Sequence, residues 1–203
     1  MISVSKLAMA AFTAAGMAGS ALADTAIVVS VGENRFAAKV EDTETGRAFL
    51  AKLPLTISMT ELNGNEKYAY GVSLPTSAQY YNTIEAGDLM LYGSNCLVLF
   101  YGSAGGYSYT RIGKLVSTAE LAAAVGSGSA SVTFEKVVLN ATIKMNGGKP
   151  EVGVETNLPS SVTITKLAAT ALPTAESDWR DYAALSDMER AKCRFFKLNA
   201  EID

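Results

Sequence analysis

Residues 84–101 read Ile-Glu-Ala-Gly-Asp, then Leu89-Met90-Leu91-Tyr92, then Gly93-Ser94-Asn95, then Cys96-Leu97-Val98-Leu99-Phe100-Tyr101. Two apolar runs of strand length flank three turn formers, the pattern of a β-hairpin with a short loop. Neither run alternates between apolar and polar residues. Each strand is therefore expected to be covered on both faces, as central strands of a barrel or sandwich are.

Working outward, the same pattern recurs on both sides. Upstream, residues 26–31 are β-branched and apolar, Gly32-Glu33-Asn34 turns the chain, and residues 35–40 return as the second arm of a hairpin. Residues 41–44 open a helix, with Asp42 or Thr43 as cap and early acids at the positive end of its dipole. Ala48, Phe49 and Leu53 follow at helical spacing, and Pro54 ends the helix. Residues 55–59 alternate as a strand with one wet face, residues 60–67 form a polar loop, and residues 68–72 read as a further strand. Residues 75–82 read as a surface loop. Downstream come a flexible stretch at 102–106, a half-buried strand at 107–115, a short helix at 118–125 ended by Gly126, and a strand at 132–135. About eight short strands with two short helices predict a mainly β fold, a small closed antiparallel barrel over residues 24–136.

Beyond residue 136 the composition changes. Two β-rich runs flank Asn146-Gly147-Gly148, a hairpin signal. One more strand is expected at 161–165. Residues 173–178 lead into an expected C-terminal helix, because Tyr182, Leu185, Met188 and Phe195 fall near the helical period. Residues 137–203 are thus expected to form a β-hairpin and helix extension.

Residues 1–23 carry Lys6, then an apolar Ala-rich core, then Ala21-Leu22-Ala23, which fits the small-x-small cleavage rule. This predicts a secretory signal peptide cut after Ala23 and a periplasmic or secreted protein, with no membrane attachment after cleavage. The apolar core is too short to span a bilayer at about 20 residues. The whole chain has a formal net charge of −3, and the only charge in residues 1–23 is Lys6, so the remainder is slightly more acidic. Nucleic acid is not an expected partner, since phosphate binding needs a basic surface. An oxidising compartment would permit a Cys96–Cys193 disulfide; the alternative is two reduced thiols, Cys96 acting as a small buried hydrophobe.

Four segments together carry a resemblance. They are Phe-Leu-Ala-Lys-Leu-Pro-Leu at 49–55, Glu-Leu-Asn-Gly-Asn-Glu-Lys at 61–67, Glu-Ala-Gly-Asp-Leu-Met-Leu-Tyr-Gly at 85–93 and Tyr-Thr-Arg-Ile-Gly at 109–113. In this order and spacing, over about residues 26–136, the chain resembles the bacterial cyclophilin-like proteins, small β-barrels distinct from the true cyclophilin enzymes. The resemblance implies a closed barrel capped by helices. It does not imply prolyl isomerisation. The Phe-His-Arg, Gln-Gly-Gly and Gly-Ser-Gln-Phe-Phe segments of the enzymes are missing, and a fold alone does not carry an activity.

The chain contains no histidine. That excludes Ser-His-Asp and Cys-His nucleophilic catalysis and the usual His-containing zinc and iron sites. No phosphate-binding glycine loop and no calcium loop is present, and no cofactor is expected. Two features point to binding. The loop holding Asn63, Asn65, Glu66 and Lys67 offers polar groups, although these also suit a solvated turn. A tyrosine group (Tyr68, Tyr70, Tyr80, Tyr81, Tyr101, Tyr107 and Tyr109), with Arg111, offers rigid amphipathic contact area, although sheets favour tyrosine anyway. The expected site is Tyr107, Tyr109 and Arg111 beside Asn63, Asn65, Glu66 and Lys67. Three functions compete: a non-catalytic domain binding a peptide, protein or small ligand; a divergent periplasmic peptidyl-prolyl isomerase with Arg111 stabilising the twisted amide; and a structural domain docking through residues 137–203.

Overall fold

The computed structural model describes residues 24–147, 149–169, 173, 176–190, 193 and 195–201 of the chain. The expected signal peptide lies outside the described residues. The first hairpin is β1 (Thr25–Val31) and β2 (Asn34–Val40), followed by helix α1 (Glu44–Leu50). Then come β3 (Leu55–Leu62), β4 (Glu66–Tyr70), β5 (Gln79–Tyr81), β6 (Asp88–Tyr92), β7 (Cys96–Phe100), β8 (Tyr107–Leu115), α2 (Leu121–Val125) and β9 (Ala130–Lys136). The strands lie in the order β2-β1-β9-β3-β4-β7-β6-β8, all neighbours antiparallel. The end of β8 then pairs with β2 through Ala38↔Leu115, Lys39↔Lys114 and Val40↔Gly113, so the sheet closes on itself as an eight-stranded barrel without open edges.

The central hairpin, β6 and β7, is buried on both sides. Leu89, Leu91, Leu97 and Leu99 point inward to a core shared with Ile27, Val29, Val132 and Phe134. Met90, Cys96, Val98 and Phe100 point outward into a second cluster with Ile84 and Tyr109. Two covered faces explain why the alternation is lost in the sequence of these strands. Helix α1 plugs the barrel. The Thr43 hydroxyl accepts the Gly46 N–H at 3.0 Å and starts the helix. Phe49 then packs edge-on against Phe134, with ring centroids 5.4 Å apart.

Some local expectations are corrected. Residues 75–82 are not all loop, because β5 pairs with the start of β8 through Gln79↔Tyr109 and Tyr81↔Tyr107. The second helix begins at Leu121, because Glu120 adopts a left-handed conformation that a helix cannot include.

The extension has the expected hairpin, β10 (Leu139–Asn146) and β11 (Lys149–Thr156), but is otherwise more β than expected. Strand β12 (Thr163–Ala169) lies between β13 (Arg180–Asp181) and β14 (Phe195–Glu201). The expected C-terminal helix is replaced by a single tight turn at Tyr182–Ala184, the four-residue helix α3 (Asp187–Arg190) and β14, so Phe195 is in a strand. Leu185 is extended and separates the two turns. Asp181 caps one of them by accepting the Ala183 N–H, and Ser186 starts the other. Such short polar side chains favour new starts over helix continuation. The cysteines do not bridge. Both are buried, Cys96 in the outer barrel cluster and Cys193 beside Ala168 and Leu185 in the extension.

Candidate functional site

The polar loop of the sequence is a tight hairpin turn between β3 and β4. Asn63 and Gly64 both take positive φ, 58° and 72°, and the Asn65 N–H donates to the Leu62 carbonyl at 3.3 Å. Asparagine followed by glycine is suited to this turn because both tolerate the left-handed region. The Glu61 carboxylate accepts the Gly64 N–H at 2.8 Å, and the Asn65 carbonyl accepts the N–H groups of Tyr101 and Gly102. These bonds fix the turn against the end of β7.

The strand alternation then sends Glu66 and Lys67 to opposite sides of the wall. Lys67 is fully buried and faces inward. Its ammonium donates to Glu61 Oε2 at 2.5 Å and to the carbonyls of Gly126 and Gly128 at 2.8 and 2.6 Å. Tyr101 joins this lock, its hydroxyl donating to the same Glu61 oxygen at 2.7 Å. Burial alone would push the Glu61 carboxyl up, but the bonds from Lys67, Tyr101 and Gly64 outweigh it and hold the group below its usual range. Burial and the Glu61 charge push the Tyr101 phenol up to about 12.

Outside the barrel, Glu66, Tyr68 and Tyr70 of β4 share a face with Cys96 and Val98 of β7, Tyr92 of β6, and Tyr107 and Tyr109 of β8. Together they enclose a cavity of about 330 Å³, rimmed by Leu62, Asn63, Asn65 and Ala104. Its walls are ordered by ring contacts. Tyr68 meets Tyr70 edge-on at 5.9 Å, and Tyr109 sits 5.5 Å from Tyr92 and edge-on to Phe100 at 5.6 Å. Glu66 is only 7% exposed. Burial raises its carboxyl above the ordinary value, a polar contact with Tyr109 partly opposes this, and the Glu61 charge adds to it. Burial, then the Glu66 charge, pushes the Tyr109 phenol far up, and the same two causes raise the Cys96 thiol. The cavity thus presents one carboxyl beside the Tyr109 phenol and the Cys96 thiol, both held in the protonated form at neutral pH, a set that can hydrogen-bond but holds no activated nucleophile.

Of the expected site residues, the structure brings Asn63, Asn65, Glu66, Tyr107 and Tyr109 together on this cavity. Lys67 turns away into the barrel. Arg111 lies two residues beyond Tyr109 on β8 but outside the cavity lining. Its guanidinium reaches Asp88 at 3.4 Å and Glu41 at 4.0 Å and stacks over the Tyr81 ring at 5.1 Å. Tyr92 and Cys96 complete the cavity and were not among the expected site residues. Their signal is the two-residue step from Met90 and to Val98, which sets all four on one face. Among the described residues, no group of three or more Cys, Asp or Glu side chains gathers to hold a metal ion.

A closed antiparallel barrel carrying a tyrosine-walled cavity on its outer surface is the class of protein these features define. The chain belongs to the cyclophilin-like family, whose model matches residues 29–135, from β1 to β9. No curated protein matches the chain.

Proposed function

We propose that this protein is a non-catalytic binding domain that works outside the cytoplasm and takes a small ligand, or one side chain of a peptide, into the tyrosine-walled cavity. The observation that carries this reading is a cavity of about 330 Å³ lined by five tyrosines around one buried carboxyl. Small-ligand sites have this make-up, with mostly apolar walls and a few fixed polar groups. The isomerase reading needed Arg111 as a free donor over an apolar pocket. Arg111 is instead engaged by Asp88, Glu41 and Tyr81, away from the cavity. Export is supported by the charge, apolar core and Ala-x-Ala ending of residues 1–23.

The test is a fragment titration of the purified protein followed by amide and tyrosine NMR. Binding fragments are expected to shift β4 and β8 resonances around Glu66 and Tyr109, and Tyr109→Ala is expected to abolish those shifts. A panel in which nothing perturbs these residues refutes the binding role. Acceleration of alanyl-prolyl isomerisation by the same preparation refutes the non-catalytic part. N-terminal sequencing of the protein recovered from its host is expected to begin at Asp24.

A further inference from the structure

The cavity has an acceptor charge and no cation to match it. Among the described residues, no lysine or arginine lines it. The nearest candidates are committed elsewhere: Lys67 to Glu61 and two carbonyls inside the barrel, Arg111 to Asp88 and Glu41. Glu66 is more than nine-tenths buried, and the polar groups around it are the Tyr109 phenol, the Cys96 thiol and the like charge of Glu61, none of them a cation. A second acceptor is idle. Asn65 Nδ2 donates to the Ser103 carbonyl at 3.0 Å, which fixes the amide, and its Oδ1 is then buried without a hydrogen-bond partner. A buried acceptor left unpaired costs stability until a donor reaches it. Around these two acceptors stand phenol rings from three strands, and ring faces attract cations.

We propose that the cavity binds an organic ammonium group, with Glu66 as counter-charge and Tyr68, Tyr70, Tyr92, Tyr107 and Tyr109 as an aromatic cage. This rests on the reading that the cavity is a binding site, and it specifies the ligand's chemistry. A primary ammonium donates N–H groups to Glu66 and Asn65. A methylated ammonium relies on the rings and the charge alone. Neutral apolar groups of the same shape forgo both attractions.

The experiment titrates the purified protein with choline, with its neutral carbon isostere 3,3-dimethyl-1-butanol, and with n-butylammonium, reading the cavity tyrosine resonances. At least one ammonium is expected to bind about tenfold tighter than the neutral alcohol, as cation–π and charge pairing together allow. Glu66→Gln is expected to remove that preference, bringing the ammonium's affinity to within a few-fold of the alcohol's. Tyr107→Leu, at the exposed rim and without consequence for folding, is expected to weaken the ammonium several-fold. The ranking of choline against n-butylammonium tells a methylated from a primary amine. Equal binding of ammonium and alcohol, or an ammonium preference that survives Glu66→Gln, overturns the proposal and leaves the cavity a neutral-ligand site. Binding of neutral fragments with no response to either ammonium does the same. Silence of the cavity toward every compound, charged or neutral, overturns both this proposal and the binding function beneath it.

Discussion

Glu66 and Lys67 are neighbours in the chain, yet they have opposite fates because successive side chains of a strand leave opposite faces. Lys67 is a buried cation whose partners are Glu61 and two carbonyls 59 and 61 residues further along. Removing it strands the Glu61 carboxylate and both carbonyls, so Lys67→Ala is expected to destabilise the protein by about 3–5 kcal/mol, as for other broken buried pairs. Urea denaturation measures this. A loss near zero would mean that Lys67 is not the lock between the β3–β4 turn and the end of α2. Glu66 acts in the reverse sense. Its folded pKa is raised above the ordinary 4.5, so the folded state keeps a proton that the unfolded state has released. Its contribution to stability is present below 4.5 and is lost as pH rises through the folded value. Glu66→Gln is therefore expected to be more stable than the parent at pH 7 and to lose that advantage below pH 4.5, which thermal melts at a series of pH values can follow. Sequence alone put both residues in one polar loop. The alternation that separates them is visible only once Glu66 and Lys67 are assigned to the strand of Tyr68 and Ala69, and the carbonyl partners of Lys67 are too distant in sequence for any local pattern to show them.

Strand β8 is the element that both closes the barrel and supplies one wall of the cavity. Residues 107–109 pair with β5 and present Tyr107 and Tyr109, residues 110–114 pair with β6, and residues 113–115 also pair with β2. The register against β6 shifts next to Met90, a bulge that re-aims the strand between these two tasks. Gly113 stands at the crossing, where an added Cβ would run into the Lys39 carbonyl. Gly113→Ala is expected to destabilise by about 3 kcal/mol, the upper range for overpacking, because backbone has to move. Gly64→Ala, at a positive φ but with open space around it, is expected to cost only about 1 kcal/mol. Comparing the two by denaturation separates steric closure from turn strain, and equal losses would contradict the role given to Gly113. The strand itself was legible from its half-buried pattern over residues 107–115, as were the hairpins with clear turn residues. The three-residue β5 was not, since Gln79, Tyr80 and Tyr81 follow a Pro-containing stretch and bear no alternation of their own. The C-terminal helix failed for a related reason: Tyr182 and Leu185 share a three-residue spacing that two separate turns reproduce as readily as one helix. Both face Cys193 and Ala168 across the small sheet.

At the scale of the whole molecule, the two parts of the chain keep separate hydrophobic clusters. The buried barrel core runs from Ile27 to Phe134, while the extension gathers Ala168, Leu185 and Cys193. Between them lies a cleft of about 460 Å³, with Arg35, Phe36 and Val116 on the barrel side and Pro159, Val162 and Glu201 facing them. An interface that leaves such a gap contributes little packing energy, because empty space has no atoms to make contacts. The junction is held by polar bonds, Asn157 Nδ2 donating to the Lys136 carbonyl at 3.0 Å and Asn157 Oδ1 accepting the Val138 N–H at 2.8 Å. The barrel needs no strand beyond Lys136 to close, since β9 already sits between β1 and β3. Residues 24–136 are therefore expected to fold alone with a cooperative transition and to keep the cavity, whose lining ends at Tyr109. Removal of the extension exposes part of Phe36 and is expected to lower barrel stability by only about 1–2 kcal/mol, the transfer cost of one partly uncovered aromatic side chain. Circular dichroism melts and cavity-tyrosine spectra of the fragment measure both points. A fragment that fails to fold, or that folds but loses the Tyr107 and Tyr109 resonances of the full chain, would show that the extension is an integral wall of the barrel instead of a unit joined at its edge.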